Sequence, residues 1–437
     1  MELKPFLIAT LLFAAAAFAQ DRQRHVVIVS IDGFPAYALR DPQLPLPNLR
    51  KLISEGVAAD SMQPVNPTVT WPNHTSIVTG LRPNRHSVLY NGWAVRGGEG
   101  KEVRVEAHVD KEQLVQGSTV YDLAHRAGLT TAEVDWVAIE KATTVTWSFA
   151  EWPKAEGNVE REMMQAGLLT ADDVASFTKA PITYRDELWT QAGEHIIRKH
   201  KPNLLLLHLL TTDSAQHRYG ARSLAGYTAL ALADAKVGRL VEACRSADIL
   251  ANTTFIVVSD HGFKTYKRVI RPNALLNQKG LADSVWAIPE GGTAMVYVTR
   301  EAEKAKTLES AKAAFVGVDG ISQMLTSEEF GRYGYPHPSA NSRMPDLVLA
   351  AADSFAFEGS TTGEIVADVP AGATPGSHGF LNTDREMDAI FIASGVGIRR
   401  GVKIGSIRNL DVAPTIAKLL GLQMENVDGR VLTELLQ

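Results

Sequence analysis

Cysteine is nearly missing from this 437-residue chain. Cys244 stands alone, so no intrachain disulfide can form and the fold must rest on its own core, which this length allows. Within an amphipathic stretch, Cys244 reads as a small buried hydrophobe rather than a reactive thiol. Long basic runs are absent too. With 44 Lys and Arg against 49 Asp and Glu, the formal charge is −5, which argues against binding a nucleic-acid polymer through a counterion-releasing patch. There is no internal repeat and no low-complexity block. What remains is ordinary globular composition: 45% apolar, 21% charged and 7% aromatic residues.

The first residues carry Lys4, an apolar run from Phe6 to Ala17, and the small-residue pattern Ala17-Phe18-Ala19. This predicts a secretory signal over residues 1–19, too short and wrongly flanked for a bilayer span. The remainder, 20–437, is read as one exported domain without a membrane anchor. The absence of disulfides suggests a bacterial periplasmic or extracellular protein, and oligomeric state is not legible.

Three apolar, β-rich runs each end in an acid. His25–Ile31 leads to Asp32, Leu204–Thr212 to Asp213, and Thr253–Ser259 to Asp260-His261. Runs apolar on both faces suit a central, mostly parallel sheet covered by helices, where functional residues collect beyond the carboxyl ends of strands. Residues 389–393 read as a further strand, and 224–244 and 409–420 as helices, the last stopped by Gly421. The alternation predicts an α/β three-layer sandwich. Residues 94–185 and 264–345 are expected to be cap insertions over the sheet edge.

The acids come with histidines at metal-ligand spacing. Asp213 and His217 lie four apart, on one face of a helical turn; Asp260 and His261 are adjacent; His378 sits between Gly376-Ser377 and Gly379. Three carboxylates and three imidazoles are too many ligands for one tetrahedral ion and about right for two, with zinc favoured and manganese or iron as competitors. Thr70 precedes Trp71-Pro72, with Pro72 in the first turn of a short helix ended by Gly80. A helix N-terminus favours a phosphate and an alkoxide there. On position alone, however, Thr70 is better explained as a helix cap.

Thr70-Trp-Pro-Asn-His74, Thr79-Gly80-Leu-Arg-Pro83, His86, Asn91, Asp32-Gly33, Asp213 with His217, Asp260-His-Gly262, Gly376-Ser-His-Gly379 and the closing Asn409-Leu-Asp411 occur in an order that resembles the nucleotide pyrophosphatase/phosphodiesterase family of the alkaline phosphatase superfamily. The resemblance spans nearly the whole chain after the leader. It implies an alkaline phosphatase-like fold and hydrolysis of phosphodiester or phosphoanhydride bonds through a phospho-threonine on Thr70. It further implies two zinc ions, one held by Asp213, His217 and His378, the other by Asp32, Thr70, Asp260 and His261. Asn91 would donate to a phosphate oxygen. The expected substrate is a small phosphodiester, a nucleotide or a phospholipid head group.

The chain departs from the family in two places. Thr212-Asp213-Ser-Ala-Gln216-His217 replaces the usual Pro-Asp-x-x-Gly-His, and His208 stands where a base-stacking aromatic is expected. Trp136 and Tyr184 are the other candidates for substrate stacking. A phosphomonoesterase or phosphonate hydrolase is the nearest alternative, but Lys141 is followed by Thr143 where a Lys-x-Arg pair would need arginine. A sulfatase would need a C/S-x-P-x-R motif, and a non-catalytic metal- or phosphate-binding protein would need no Thr70. His74 and His86 are expected to make structural hydrogen bonds.

Overall fold

The computed structural model describes residues 23–98 and 101–437. The signal peptide expected over 1–19 lies outside the described residues. Twelve strands matter here: β1 His25–Ile31, β2 Gly56–Ala59, β3 Thr131–Val134, β4 Trp147–Phe149, β5 Leu204–Leu209, β6 Thr253–Val258, β7 Val285–Glu290, β8 Thr293–Val298, β9 Ile321–Leu325, β10 Leu347–Ala351, β11 Phe391–Gly395 and β12 Lys403–Ile404. The helices that matter are α1 Pro47–Glu55, α2 Thr70–Thr79, α3 Val120–Arg126, α4 Asn158–Gln165, α5 Ile182–His200, α6 Thr211–Tyr219, α7 Leu224–Ser246, α8 Lys304–Phe315 and α9 Val412–Leu419.

The central sheet runs β12-β2-β11-β6-β1-β5-β3-β4, and every strand is parallel to β1 except β11. Side chains alternate across it, as a period-two strand requires. Val27, Val29 and Ile31 face a core with Leu49 of α1, Trp189 and Ile196 of α5, and Val237, Leu240 and Cys244 of α7. Val26 and Ile28 face the opposite core, with Ile77 of α2, Tyr121 of α3 and Ile416 of α9. The expected three-layer sandwich is present. Cys244 is fully buried, and burial pushes its thiol up to about 12, so it is inert.

Part of the segment read as a cap belongs to the sheet itself. Residues 94–185 contain β3 and β4, which extend the sheet in parallel beyond β5, and α3, which packs on it. These strands are only four and three residues long, too short to show as apolar runs. Residues 264–345 supply three strands of a separate antiparallel sheet, β7-β8-β10-β9, with its own core under α8. Among the described residues, no helix is long and apolar enough to cross a membrane.

Candidate active site

The central sheet delivers its acids to one edge. β1 ends at Ile31, directly before Asp32; β6 ends at Val258, two residues before Asp260 and His261. β5 stops at Leu209, and α6 opens at Thr211, so Asp213 lies in its first turn and His217 one turn further on the same face. Asp186 of α5 fixes that helix start by accepting from the N–H groups of Leu210 (2.9 Å) and Thr211 (3.1 Å). His378 arrives on a loop that passes close to β7: a Cβ at Gly379 would lie 1.6 Å from the Glu290 carbonyl, and φ there is 78°. Only glycine fits.

Asp213 Oδ1 lies 3.3 Å from His217 Nε2 and 3.6 Å from His378 Nε2. His261 Nε2 lies 3.1 Å from Asp260 Oδ2 and 3.4 Å from Asp32 Oδ1. Asp213, His217 and His378 each offer a ligand atom within 4.8 Å of the others, as do Asp32, Asp213 and His261. Each imidazole turns its other nitrogen to a backbone carbonyl: His217 Nδ1 donates to Gly376 (3.1 Å), His261 Nδ1 to Gly262 (3.0 Å) and His378 Nδ1 to Thr68 (3.0 Å). That arrangement fixes the tautomer and aims Nε2 into the cluster.

Four buried atoms there have no hydrogen-bond partner: Asp32 Oδ1, Asp213 Oδ1, Asp260 Oδ2 and His261 Nε2. Unsatisfied buried carboxylate and imidazole atoms are costly in a folded protein unless something else satisfies them. A mixed oxygen and nitrogen donor set with its unshared lone pairs converging fits divalent cations, zinc best. Electrostatics agree. Burial, then the neighbouring Asp260 and Asp213, push the Asp32 carboxyl well above the ordinary range. Burial lowers His261 to about 4 and, with the adjacent imidazoles, brings His378 well below the usual histidine value. On Asp213 burial works upward, but the His217 and His378 rings outweigh it and hold the carboxyl down.

Thr70 is the first residue of α2, whose ten residues are all buried, and it is 7% exposed. Two contacts seat it at the cluster. The Thr68 carbonyl accepts from His378, while His74 places Nδ1 2.9 Å from the Thr70 carbonyl and 3.6 Å from Asp260 Oδ2. Asn91 Oδ1 accepts the Trp71 N–H at 2.9 Å, which leaves the Asn91 amide N–H₂ as an outward donor beside Thr70. His86 is buried, with Nε2 3.0 Å from Ser76 Oγ and Nδ1 accepting from the Val88 N–H.

His208 does not present a face to a substrate. It is 1% exposed; Nε2 donates to Asp32 Oδ2 at 3.0 Å, and Nδ1 donates to the Asp135 carbonyl while lying 3.1 Å from the Asp135 carboxylate. Burial works against charge on this ring, but Asp135 and Asp32 prevail and hold its pKa well above the ordinary value. Gln216, in place of the family glycine, donates to the Gly33 carbonyl at 2.6 Å, and Thr212, in place of proline, donates to the Asp32 carbonyl. The two departures therefore brace the backbone of Asp32 and Gly33. Trp136 is buried, meets the His74 ring edge-on at 4.9 Å, and with Trp71 lines a cavity of about 410 Å³. Tyr184 is 42% exposed and donates to Asp173; it does not line that cavity. Asp135 and Asp186 were missed from sequence. Asp135 stands one residue beyond β3, so the rule that found the other three acids at strand ends would have found it once that short strand was recognised.

Comparison with known proteins identifies the family. A family model described as type I phosphodiesterase / nucleotide pyrophosphatase matches residues 26–381. Bos taurus ectonucleotide pyrophosphatase/phosphodiesterase family member 3 is 22% identical over 91% of this chain, which spans 42% of that protein. Xenopus laevis bis(5'-adenosyl)-triphosphatase enpp4 is 24% identical, with 92% of this chain and 79% of that protein covered. For Homo sapiens family member 7 the identity is 23%, with 98% and 87% covered. Among solved structures, murine ectonucleotide pyrophosphatase/phosphodiesterase 5 superposes with a TM-score of 0.73 at 21% identity, covering 95% of this chain and all of that one. An inactive form of the murine protein, solved with AMP, has the same TM-score. By the extent of the family match, this chain belongs to the type I phosphodiesterase / nucleotide pyrophosphatase family, a family of phosphodiester-bond hydrolases.

Proposed function

We propose that the chain cleaves phosphodiester or phosphoanhydride bonds by in-line attack of Thr70 on phosphorus, at a site holding two divalent cations. Asp213, His217 and His378 would hold one ion; Asp32, Asp260, His261 and the Thr70 hydroxyl the other. The observation that carries this reading is the set of partnerless buried atoms on Asp32, Asp213, Asp260 and His261 beside the N-terminus of α2. Bound divalent ions would lower the pKa of the Thr70 hydroxyl and neutralise charge on the departing oxygen. Thr70 Oγ gives up its proton to solvent and bonds to phosphorus as the bond from phosphorus to the leaving oxygen breaks, and the departing oxygen takes up a proton from solvent. Water then cleaves the phospho-threonine and restores the hydroxyl. The Asn91 amide and the first free N–H of α2 hold a non-bridging oxygen. Asn91 is neutral, which suits a diester with one negative charge fewer than a monoester.

The cavity lined by Trp71 and Trp136 would receive the leaving group. Trp71, Trp136 and Trp152 line it together with Glu133, Glu140 and Glu151. Burial raises Glu133 to about 7, and burial with the nearby Asp135 raises Glu151 to about 8. Aromatic faces with carboxyl groups favour a neutral or cationic head group over a second run of phosphates. Export remains a proposal resting on residues 1–19. The test is mass spectrometry of acid-quenched enzyme after bis-p-nitrophenyl phosphate, where phosphate on Thr70 is expected. Its absence, with turnover intact, would remove the covalent step. Faster hydrolysis of p-nitrophenyl phosphate than of the diester would instead favour a monoesterase.

A further inference from the structure

A second group of potential ligands lies away from this site. Glu162 projects from α4, and His195 and His200 from the last turns of α5. Both imidazoles point Nε2 at the same carboxylate oxygen, Glu162 Oε2: His200 at 2.7 Å and His195 at 3.1 Å. Lys199 Nζ also lies 3.1 Å from that oxygen. Three donors thus crowd one oxygen, more than its two lone pairs can serve well. The ligand atoms of Glu162, His195 and His200 lie within 4.8 Å of one another. The rings are held in place, for Trp147 stacks on His200 with centroids 3.5 Å apart and planes within 13°. The side chains of His195 and His200 are each 10% exposed and that of Glu162 is 19% exposed, while Lys199, at 49%, is free to swing out.

We propose that Glu162, His195 and His200 bind a zinc ion that fastens α4 to the end of α5. Two imidazole nitrogens and one carboxylate oxygen form a three-ligand zinc set with a fourth position left for water. The imidazoles bind through the Nε2 lone pairs, giving up the hydrogen bonds to Glu162, and the Lys199 ammonium moves into solvent. This ion would do no chemistry. Its effect is on shape: Asn158 and Glu160, on the same helix as Glu162, line the cavity shared with Trp71 and Trp136. Zinc binding itself is independent of the reaction assigned above. Only its effect on substrate affinity rests on reading that cavity as the leaving-group pocket.

The test uses the full chain and Zn²⁺ alone, with bound metal counted by elemental analysis after equilibrium dialysis. His195→Ala/His200→Ala should bind one equivalent less than the unmodified protein, with kcat within about twofold and KM raised several-fold. Asp213→Asn should lose metal from the other site and keep this equivalent, which separates the two readings. Lys199→Met, which leaves every ligand in place, should tighten this equivalent about tenfold by removing a competing cation. The proposal is overturned if the double variant binds as much zinc as the unmodified protein. It is equally overturned if Asp213→Asn/His261→Ala protein takes up no zinc at all, a result that needs no change at Glu162. Loss of the equivalent with KM unchanged keeps the zinc site but overturns its link to the cavity.

Discussion

The cluster around Asp213 and the cluster around Glu162 contain the same kinds of side chain, yet their atoms are settled in opposite ways. At the sheet edge, the histidines spend Nδ1 on backbone carbonyls, and four buried carboxylate and imidazole atoms are left with no hydrogen-bond partner. Near α4, the two imidazoles bond the carboxylate directly and a lysine completes the balance. The first arrangement is unfavourable until a cation arrives; the second is already satisfied and must be rearranged to accept one. Affinity for metal should therefore be far higher at the sheet edge. Preorganisation by backbone carbonyls, rather than the number of histidines, makes that difference.

The strongest way to break the comparison is at Thr70. Thr70→Ala should lower kcat for bis-p-nitrophenyl phosphate by about 10⁴-fold or more while metal content stays unchanged. An activity loss accompanied by metal loss would make Thr70 chiefly a ligand. Asp213→Asn comes next. Because Asp213 lies within ligand reach in both groups at the sheet edge, its loss should remove metal and about 10³-fold of activity, with no change at the Glu162 cluster.

A smaller effect is expected behind the ligands. His208 and Asp135 hold Asp32 through its Oδ2, leaving Oδ1 free for an ion. His208→Phe restores the aromatic expected from the family but removes that brace. Zinc affinity should fall about 10- to 100-fold, measured by competition with a chromogenic chelator. His208→Gln, which can still donate to Asp32, should recover part of it. Unaltered affinity in His208→Phe would reduce the ring to packing.

The unequal legibility of the two clusters in the sequence has a physical cause. Asp32, Asp213 and Asp260 follow strands six or seven residues long and apolar on both faces, so the chain itself marks where the sheet edge lies. His208 sits inside such a strand, where its neighbours Leu207 and Leu209 say nothing about what the ring meets. Its partner Asp135 follows β3, a four-residue strand read as part of a cap. Glu162 and His200 stand 38 positions apart on two helices, and their meeting depends on how α4 packs, for which no local pattern codes. The direction of β11 was equally invisible, since an apolar run does not reveal its polarity in the sheet.

Glu187 sharpens the comparison by its chemistry alone. Like Glu162 it gathers three donors, but these are Arg239 (2.6 Å), Lys236 (2.9 Å) and Gln191 (3.0 Å), none of which can take the place of an imidazole ligand. Glu187→Gln should leave the rise in melting temperature on adding Zn²⁺ unchanged, whereas Glu162→Gln should reduce that rise. Acid provides the second signature. Burial would raise the Glu187 carboxyl, but the bonds from Arg239, Lys236 and Gln191 override it and bring it down to about 2. A depressed acid stabilises the fold above its unfolded value, 4.5, and the contribution fades as pH falls toward 2. The pair is one-third exposed, so the gap in melting temperature between Glu187→Gln and the unmodified chain should be only about 1–2 °C at pH 7. It should narrow steadily below pH 4.5, as followed by circular dichroism. A gap that is constant from pH 7 to pH 3 would show that the charge of Glu187 adds nothing to the packing of α5 against α7.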